Sequence, residues 1–117
     1  KKGLRLAVVS SAGPQTVALF KKALGQKNYF SAVLSSRDAR RAKPHPEPYR
    51  VAMKRLRLQP SEAVVVEDSL SGILSAQRAG LRVFGLPGTE SAAALRKAGA
   101  DAILKRLSSI VEAIHAL

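Results

Sequence analysis

The chain has 117 residues, 46% of them hydrophobic, which is enough to bury one sizeable core but too little for two ordinary domains. Twenty Lys and Arg against eight Asp and Glu give a formal net charge of +12. The absence of cysteine excludes a disulfide framework and a thiolate metal site. No apolar run approaches the roughly 18 to 20 residues of a membrane span. We therefore expect a single domain over residues 1–117 of a cytoplasmic protein, with no membrane partner.

The positive charge can attract phosphate-bearing ligands or nucleic acid over a distance. The basic side chains are dispersed, however, with short clusters at residues 37–43 and 54–57, and the aromatic residues are three Phe and two Tyr. Single-strand binders combine basic grooves with stacking aromatic side chains, and this chain contains no known nucleic-acid-binding module. We therefore do not expect nucleic acid to be a partner.

Short apolar runs alternate with helical patterns along the chain, which is typical of a parallel sheet with crossover helices. Val64–Val66 is a run of β-branched residues, as expected for a strand that is buried on both faces. The predicted strands lie at residues 4–9, 32–35, 63–67 and 81–86, with a minor strand at 102–104. The fold class expected from this order is α/β, a three-layer, doubly wound (Rossmann-like) parallel sheet.

Helices are predicted between and after these strands. Proline favours the first helical position and is excluded from helix interiors, whereas glycine favours the end of a helix. The predicted helices run from Pro14 to a stop at Gly25, from Pro48 to about Leu58, from a cap at Ser69 or Ser71 to Gly80, from Ser91 to Ala98, and from Leu107 to Leu117. The last of these is amphipathic, because its apolar residues recur at helical spacing.

Polar residues follow each of the main strands, where open parallel sheets bind their ligands. Ser10 and Ser11 follow the first strand, Lys43 ends a basic loop after the second, and Glu67 and Asp68 follow the third. A hydroxyl, an ammonium and a pair of carboxylates could together hold a phosphoryl group and a divalent cation. Each also has an ordinary explanation on its own, since serine and acidic residues often cap helices and lysine is common on surfaces.

Three segments in this order resemble motifs two, three and four of the haloacid dehalogenase superfamily. They are Leu-Ala-Val-Val-Ser-Ser-Ala at 6–12, Ala-Lys-Pro-His-Pro-Glu-Pro-Tyr at 42–49 and Val-Val-Val-Glu-Asp-Ser-Leu-Ser-Gly-Ile at 64–73. The chain is most similar to the branch that holds β-phosphoglucomutase and phosphoglycolate phosphatase, over essentially its whole length. The resemblance implies part of a Mg²⁺-dependent phosphohydrolase or phosphomutase that acts on a small phosphorylated metabolite through an aspartyl-phosphate.

The same resemblance implies roles for individual residues. Ser10 corresponds to the catalytic hydroxyl that hydrogen-bonds the transferring phosphoryl oxygen, with the backbone amide of Ser11 helping. Lys43 corresponds to the catalytic cation that offsets charge on the phosphoryl group and on the nucleophilic carboxylate. Asp68 corresponds to a Mg²⁺ ligand, and Glu67 either binds the metal, directly or through water, or orients Lys43.

The family's first motif, Asp-x-Asp followed by Gly-Thr or Gly-Ser, has no counterpart here, because no Asp or Glu precedes Asp38. Asp101 stands near the wrong strand to substitute. The resemblance therefore implies a core whose N-terminal strand and nucleophile lie outside this sequence, and an isolated chain that is inactive. The cap that selects the substrate is absent too. A non-catalytic phosphate-binding or scaffold module of the same fold is the alternative.

In this family the first-motif strand lies between the strand that here ends at Val9 and the strand that here ends at Glu67. Unpaired strand edges expose backbone donors and acceptors, which are costly when buried. We expect either that these two strands pair directly with each other or that a strand from an N-terminal segment, another polypeptide or another copy fills the gap.

Overall fold

The computed structural model describes residues 4–25 and 29–117. Its strands are β1 (Leu6–Val9), β2 (Phe30–Leu34), β3 (Val64–Glu67), β4 (Arg82–Gly85) and β5 (Ala102–Ile103). Its α-helices are α1 (Pro14–Leu24), α2 (Glu47–Leu56), α3 (Leu70–Arg78), α4 (Ala92–Ala98) and α5 (Ile110–His115). Short 3₁₀ helices occupy Ser36–Asp38, Pro60–Glu62 and Leu107–Ser109. The alternation of strands and helices confirms the α/β prediction.

All strand pairs are parallel, but they form two sheets rather than one. Strand β1 pairs with β2, and β3, β4 and β5 form a separate three-stranded sheet in that order. Within the described part of the chain, no ladder joins β1 to β3. Of the two alternatives expected for these strands, direct pairing is therefore not found, and a strand from elsewhere stays a prediction. The side chain of Lys43 links the ends of β1 and β3, as described below.

Most predicted boundaries shift by one or two residues, because element ends depend on local contacts. Strand β2 begins at Phe30 rather than residue 32, and the Phe30 ring packs against that of Phe20 in α1 with 5.9 Å between centroids. Helix α2 ends at Leu56, two residues before the expected stop, because Arg57 adopts a left-handed conformation with φ of 57°. The last helix is shorter than expected, since a 3₁₀ turn precedes Ile110.

The buried core lies around the three-stranded sheet and α3. Helix α3 packs on β3 and β4, and α2 and α4 flank it in the same layer. Of its two candidate caps, Ser69 is the one used, since its hydroxyl accepts a hydrogen bond of 3.0 Å from the Gly72 amide. The core cluster consists of Tyr49, Val65, Ile73, Ala76, Leu81, Val83 and Leu95. This core fixes the end of β3, where the two acidic residues are found.

The first helix is packed much less completely than α2 and α3. In α1 the buried residue is Val17, whereas Leu19 and Phe20 are 68% and 40% exposed.

Across residues 4–25 and 29–117, no helix combines the length and apolar character needed to cross a bilayer.

Candidate phosphate and metal site

Lys43 links the two sheets at their carboxyl edges. Its Nζ donates a hydrogen bond of 2.9 Å to the carbonyl of Val9, the last residue of β1. The same Nζ lies 2.6 Å from Oε2 of Glu67, the last residue of β3. Both charged side chains are nearly buried, with 10% of Lys43 and 7% of Glu67 exposed. A charge pair of this kind is costly to break, because removal of one partner leaves the other charge buried and uncompensated.

The carboxylate of Glu67 has partners at both of its oxygens. Oε2 accepts hydrogen bonds from Lys43 and from the hydroxyl of Tyr49, and Oε1 accepts one of 3.3 Å from the hydroxyl of Ser69. On its remaining side the carboxylate lies against Gly72, where an added Cβ would overlap it. Glu67 is therefore held in place by protein groups alone, in a pocket that only glycine at position 72 leaves open.

Tyr49 lies beneath this cluster and is itself 4% exposed. Burial raises the pKa of its hydroxyl well above the usual value, and the negative charge and hydrogen bond of Glu67 and the charge of Asp68 raise it further. The hydroxyl therefore stays protonated and serves as a hydrogen-bond donor. Its ring also faces the lysine, with Nζ of Lys43 5.3 Å from the ring centroid, within range of a cation–π interaction.

The loop after β1 is held by its own hydrogen bonds. Oγ of Ser10 accepts from the amide of Ala12 at 2.9 Å, and the Ser10 amide donates to the carbonyl of Leu34 at 3.1 Å. The ordinary role of a loop-stabilising serine is thus present. A hydroxyl also carries a proton that it can donate, so the same oxygen can still bind a phosphoryl oxygen. Ser11, next to it, is exposed.

A small cavity lies between the loops that follow β1 and β2. Its polar and charged lining comes from Ser10, Ser11, Ser35, Ser36, Arg41 and Lys43. Helix α1 begins directly after the first loop. Its N-cap is Gly13, so no N-cap side chain accepts a hydrogen bond from the first amides of the helix. Helix N-termini and cationic side chains both favour anions, so these polar groups are candidates for holding a phosphate. The rest of the lining is apolar and consists of Val9, Leu34, Ala39, Ala42 and Pro48.

Asp68 is exposed at the carboxyl end of β3, next to the buried Glu67. In the ranges that the structure describes, no three His, Cys, Asp or Glu residues come together as a metal-binding group. Mg²⁺ commonly uses one or two carboxylates and completes its octahedron with water and phosphate. The chemistry of Asp68 therefore fits one ligand of such a site. Asp101 lies at the opposite edge of the sheet, where its Oδ2 accepts from the Val83 amide at 2.8 Å.

The structure thus brings the residues singled out from the sequence to one edge. Lys43 and Glu67 are in direct contact, Asp68 follows Glu67, and Ser10 follows the strand whose last carbonyl Lys43 binds. Sequence reasoning missed the partners that hold them, Tyr49 and Gly72. Their signal was present in the matched segments, because Tyr49 ends the second and Gly72 stands in the third.

A further anchor joins α3 to the Lys43 loop. The buried hydroxyl of Ser75 donates to the carbonyl of His45 at 2.7 Å, and Arg78 donates to the carbonyl of Pro44 at 3.3 Å. Gly72, Ser75 and Arg78 are three residues apart, so they lie along one stripe of the helix. The helix that follows the acidic pair therefore also holds the loop that carries the lysine.

Comparison with known proteins gives the same picture. The sequence profile of the family described as haloacid dehalogenase-like hydrolase matches residues 1–86. The pyrophosphatase PpaX of Bacillus pumilus is 33% identical over 116 residues, which is 98% of this chain and 54% of that protein. The validoxylamine A 7'-phosphate phosphatase of Streptomyces hygroscopicus subsp. limoneus is 38% identical over 105 residues, 90% of this chain and 48% of that protein.

A solved structure with the same fold is that of CbbY from Rhodobacter sphaeroides in complex with phosphate. It superposes with a TM-score of 0.79 at 32% identity, over 93% of this chain and 49% of that chain. The chain spans about half the length of the curated relatives it matches, 54% and 48% in the two cases above.

Proposed function

Because the chain belongs to the haloacid dehalogenase-like hydrolase family, we propose that it forms part of the catalytic core of a Mg²⁺-dependent phosphohydrolase or phosphomutase. Its substrate would be a small phosphorylated metabolite, whose phosphoryl group would be transferred through an aspartyl-phosphate. Of the relatives named above, one is a validoxylamine A 7'-phosphate phosphatase and another is a pyrophosphatase, which supports the substrate class without naming the substrate. The observation that carries the proposal is the position of Lys43, a nearly buried cation beside a cavity that two serine-bearing loops line.

In the proposed reaction, the phosphoryl group binds in the cavity between the loops after β1 and β2. The hydroxyl of Ser10 donates a hydrogen bond to a phosphoryl oxygen, while its oxygen still accepts the hydrogen bond from the Ala12 amide. The backbone amide of Ser11 and the N-terminus of α1 add partial positive charge. Lys43 offsets the negative charge that accumulates as the phosphoryl group is transferred, and it acts in a site from which water is largely excluded.

Asp68 would hold the Mg²⁺ ion in this proposal. When bound, Mg²⁺ would polarise the phosphoryl oxygens and neutralise part of their charge. Asp68 is exposed and so accessible to a hydrated ion, whereas Glu67 is buried and bound to Lys43 and Tyr49. The arrangement favours Asp68 as the metal ligand and gives Glu67 the task of orienting Lys43.

The carboxylate nucleophile is proposed to come from outside these 117 residues, since no Asp or Glu precedes Asp38. A strand from an N-terminal segment or from a partner polypeptide, placed between β1 and β3, would deliver it beside Lys43. Within residues 4–25 and 29–117, β1 pairs only with β2 and β3 only with β4, so each has an edge without a partner strand, which supports this placement. We accordingly expect the isolated chain to be inactive.

The lack of cysteine is consistent with a reducing, cytoplasmic compartment.

A Mg²⁺ titration followed by NMR tests the metal assignment. The amides of Asp68 and its neighbours should shift in the wild type, and the shifts should weaken or disappear in Asp68→Asn. Asp101→Asn is the matched control, because it removes the same charge at the opposite edge of the sheet. Equal Mg²⁺ binding by Asp68→Asn and the wild type would place the metal elsewhere.

The coding sequence upstream of Lys1 tests the catalytic assignment. An Asp-x-Asp-Gly segment there supports the enzyme, and a protein that includes it should hydrolyse phosphate esters only when Mg²⁺ is present. A full-length protein without such a segment, which binds phosphate but hydrolyses no ester, would instead be a non-catalytic phosphate-binding or scaffold module.

A further inference from the structure

We propose that Tyr49 is a positioning residue for Lys43: its hydroxyl fixes the carboxylate of Glu67, and that carboxylate holds the ammonium at the mouth of the phosphate cavity. The inference rests on the proposed function only in the last step, where Lys43 meets a phosphoryl group. Its structural part, that Tyr49 acts on Lys43 through Glu67, stands independently of any substrate.

The contact between Tyr49 and Glu67 is specific in its geometry. The hydroxyl donates to Oε2, the same oxygen that receives Nζ of Lys43. Tyr49 and Glu67 are separated by 18 positions in sequence and are both buried, at 4% and 7% exposure. A carboxylate with two donors on one oxygen cannot swing toward the cavity without giving up both hydrogen bonds. The Tyr49 hydroxyl therefore fixes the position of the Glu67 carboxylate, which is the counter-charge of Lys43.

Gly72 completes the restraint from the other side. A side chain at this position would overlap the carboxylate, so Glu67 is confined between the first turn of α3 and the hydroxyl of Tyr49. Ser69 adds a third restraint on Oε1 at 3.3 Å. The carboxylate is restrained on three sides, and the fourth is occupied by Lys43.

A purely structural role for Tyr49 makes a different prediction. Its ring belongs to the buried core cluster, and if packing were its whole contribution, phenylalanine would serve equally well. Removal of the hydroxyl alone separates the two roles, because the ring that faces Nζ of Lys43 at 5.3 Å remains in place.

The test compares the Lys43 side chain in the wild type, in Tyr49→Phe and in Tyr29→Phe by NMR. Tyr29 is the matched control, because it is the other tyrosine of the chain and is 56% exposed. In the wild type we expect cross peaks between the Lys43 ε protons and the Tyr49 ring, and separate signals for the two ε protons. In Tyr49→Phe the cross peaks should weaken severalfold and the two signals merge, while Tyr29→Phe leaves both unchanged.

Titration with inorganic phosphate provides the second readout. Tyr49→Phe should weaken phosphate binding about threefold to tenfold, as expected for loss of one buried hydrogen bond. The loss of stability caused by Tyr49→Phe is compared in two backgrounds, because the double variant Lys43→Met with Glu67→Gln binds no phosphate. The loss should shrink when Lys43→Met and Glu67→Gln are already present, since the hydroxyl then has no charge pair to hold. A merely structural tyrosine would give the same loss of stability in both backgrounds.

The outcomes separate this inference from the proposed function. Unchanged Lys43 signals in a folded Tyr49→Phe variant overturn the positioning role, whether or not phosphate binds. Altered Lys43 signals in a chain whose wild type binds no phosphate support the positioning role and contradict the proposed function. Should Tyr49→Phe fail to fold, the hydroxyl proton of Tyr49 in the wild-type spectrum decides. A slowly exchanging signal supports its hydrogen bond to Glu67, and a rapidly exchanging one overturns the proposal.

Discussion

The region built from β1, α1 and β2 differs sharply from the region built from β3, α3 and β4. In the second region every residue of β4 after Arg82 is buried, and Ile73 of α3 is fully buried. In the first region the strand residue Leu6 is 54% exposed and α1 buries Val17 alone. One region has a complete core, and the other presents apolar surface of the kind that usually meets a partner.

The contrast shows how the site is divided. The well-packed region holds the charged cluster around Glu67, whose contacts are complete within the chain. The less packed region contributes the serine loop and the Val9 carbonyl. Lys43 belongs to the connection between them and contacts both. The proposed phosphate site would therefore depend on how firmly the side chain of Lys43 joins a well-packed region to a weakly packed one.

The largest contrast should appear when apolar side chains are truncated in the two regions. Ile73→Ala should lower the free energy of unfolding by about 4 kcal/mol, because it leaves a cavity in a fully buried site. Leu6→Ala removes a side chain of similar size that is 54% exposed, and its cost should stay within about 0.5 kcal/mol. Urea denaturation measures both. Similar losses for the two variants would show that the regions are equally packed.

The next largest loss of stability is expected when the contacts of Lys43 that link the two regions are broken. Lys43→Met leaves the carboxylate of Glu67 buried without its counter-charge and should cost about 3 kcal/mol. Adding Glu67→Gln removes that uncompensated charge, so the double variant should recover a large part of the loss. A double variant less stable than Lys43→Met would contradict the coupling, as judged by the same denaturation experiment.

A smaller effect is expected from filling the pocket of Glu67. Gly72→Ala would gain helix propensity worth about 1 kcal/mol in an unhindered helix, but the methyl group overlaps the carboxylate. We expect net destabilisation of about 1 to 2 kcal/mol from the resulting strain. Gly88→Ala, where no atom lies within 4 Å of the added carbon, is the control and should change little. Stabilisation by Gly72→Ala, measured by thermal unfolding, would show that Glu67 is not confined.

The smallest effect concerns Asp38, in the turn that follows β2. A hydrogen bond from the Ser35 backbone and the neighbouring Arg55 hold the pKa of its carboxyl below the usual 3.8. Because the pKa is lower in the folded state, the ionised carboxylate stabilises the fold at pH values above 3.8. This contribution is lost as the pH falls through the lower pKa of the folded state. Asp38→Asn should therefore cost about 0.5 to 1 kcal/mol at pH 7.

The pH dependence provides the check on that prediction. The stability difference between Asp38→Asn and the wild type should shrink as the pH falls below 3.8, because the wild-type carboxyl then becomes protonated. Unfolding free energies measured from pH 7 down to pH 3 would show it. A difference that persists unchanged at the lowest pH would point to packing and not to charge.

Features with a local cause could be predicted from the sequence. The β-branched run Val64–Val66 is a strand, and Ser69 caps the helix that follows, because both depend on neighbouring residues. The carboxyl edge as the place of the site followed from the rule for parallel sheets. Lys43 and Glu67 are in contact at this edge, and their roles in binding stay predictions.

Features that depend on distant contacts could not be predicted. Tyr49 stands in a segment that resembles a family motif, but its contact with a carboxylate 18 positions away depends on the folded structure. The link between β1 and β3 is also non-local, since Lys43 from a third segment binds both the Val9 carbonyl and the Glu67 carboxylate. Strand β2 begins early because Phe30 packs against Phe20 of another element.

The role of Lys43 in a phosphate site is tested most directly by titrating the chain with inorganic phosphate and following its amide NMR signals. The chemical-shift changes should concentrate at Ser10–Ala12 and around Lys43, and they should vanish when Lys43→Met is combined with Glu67→Gln. Lys54→Met is the control, because it removes the same charge from an exposed position on α2 and should leave binding intact. Weak shifts spread over the basic surface, equal in all three proteins, would contradict the claim that Lys43 forms a phosphate site.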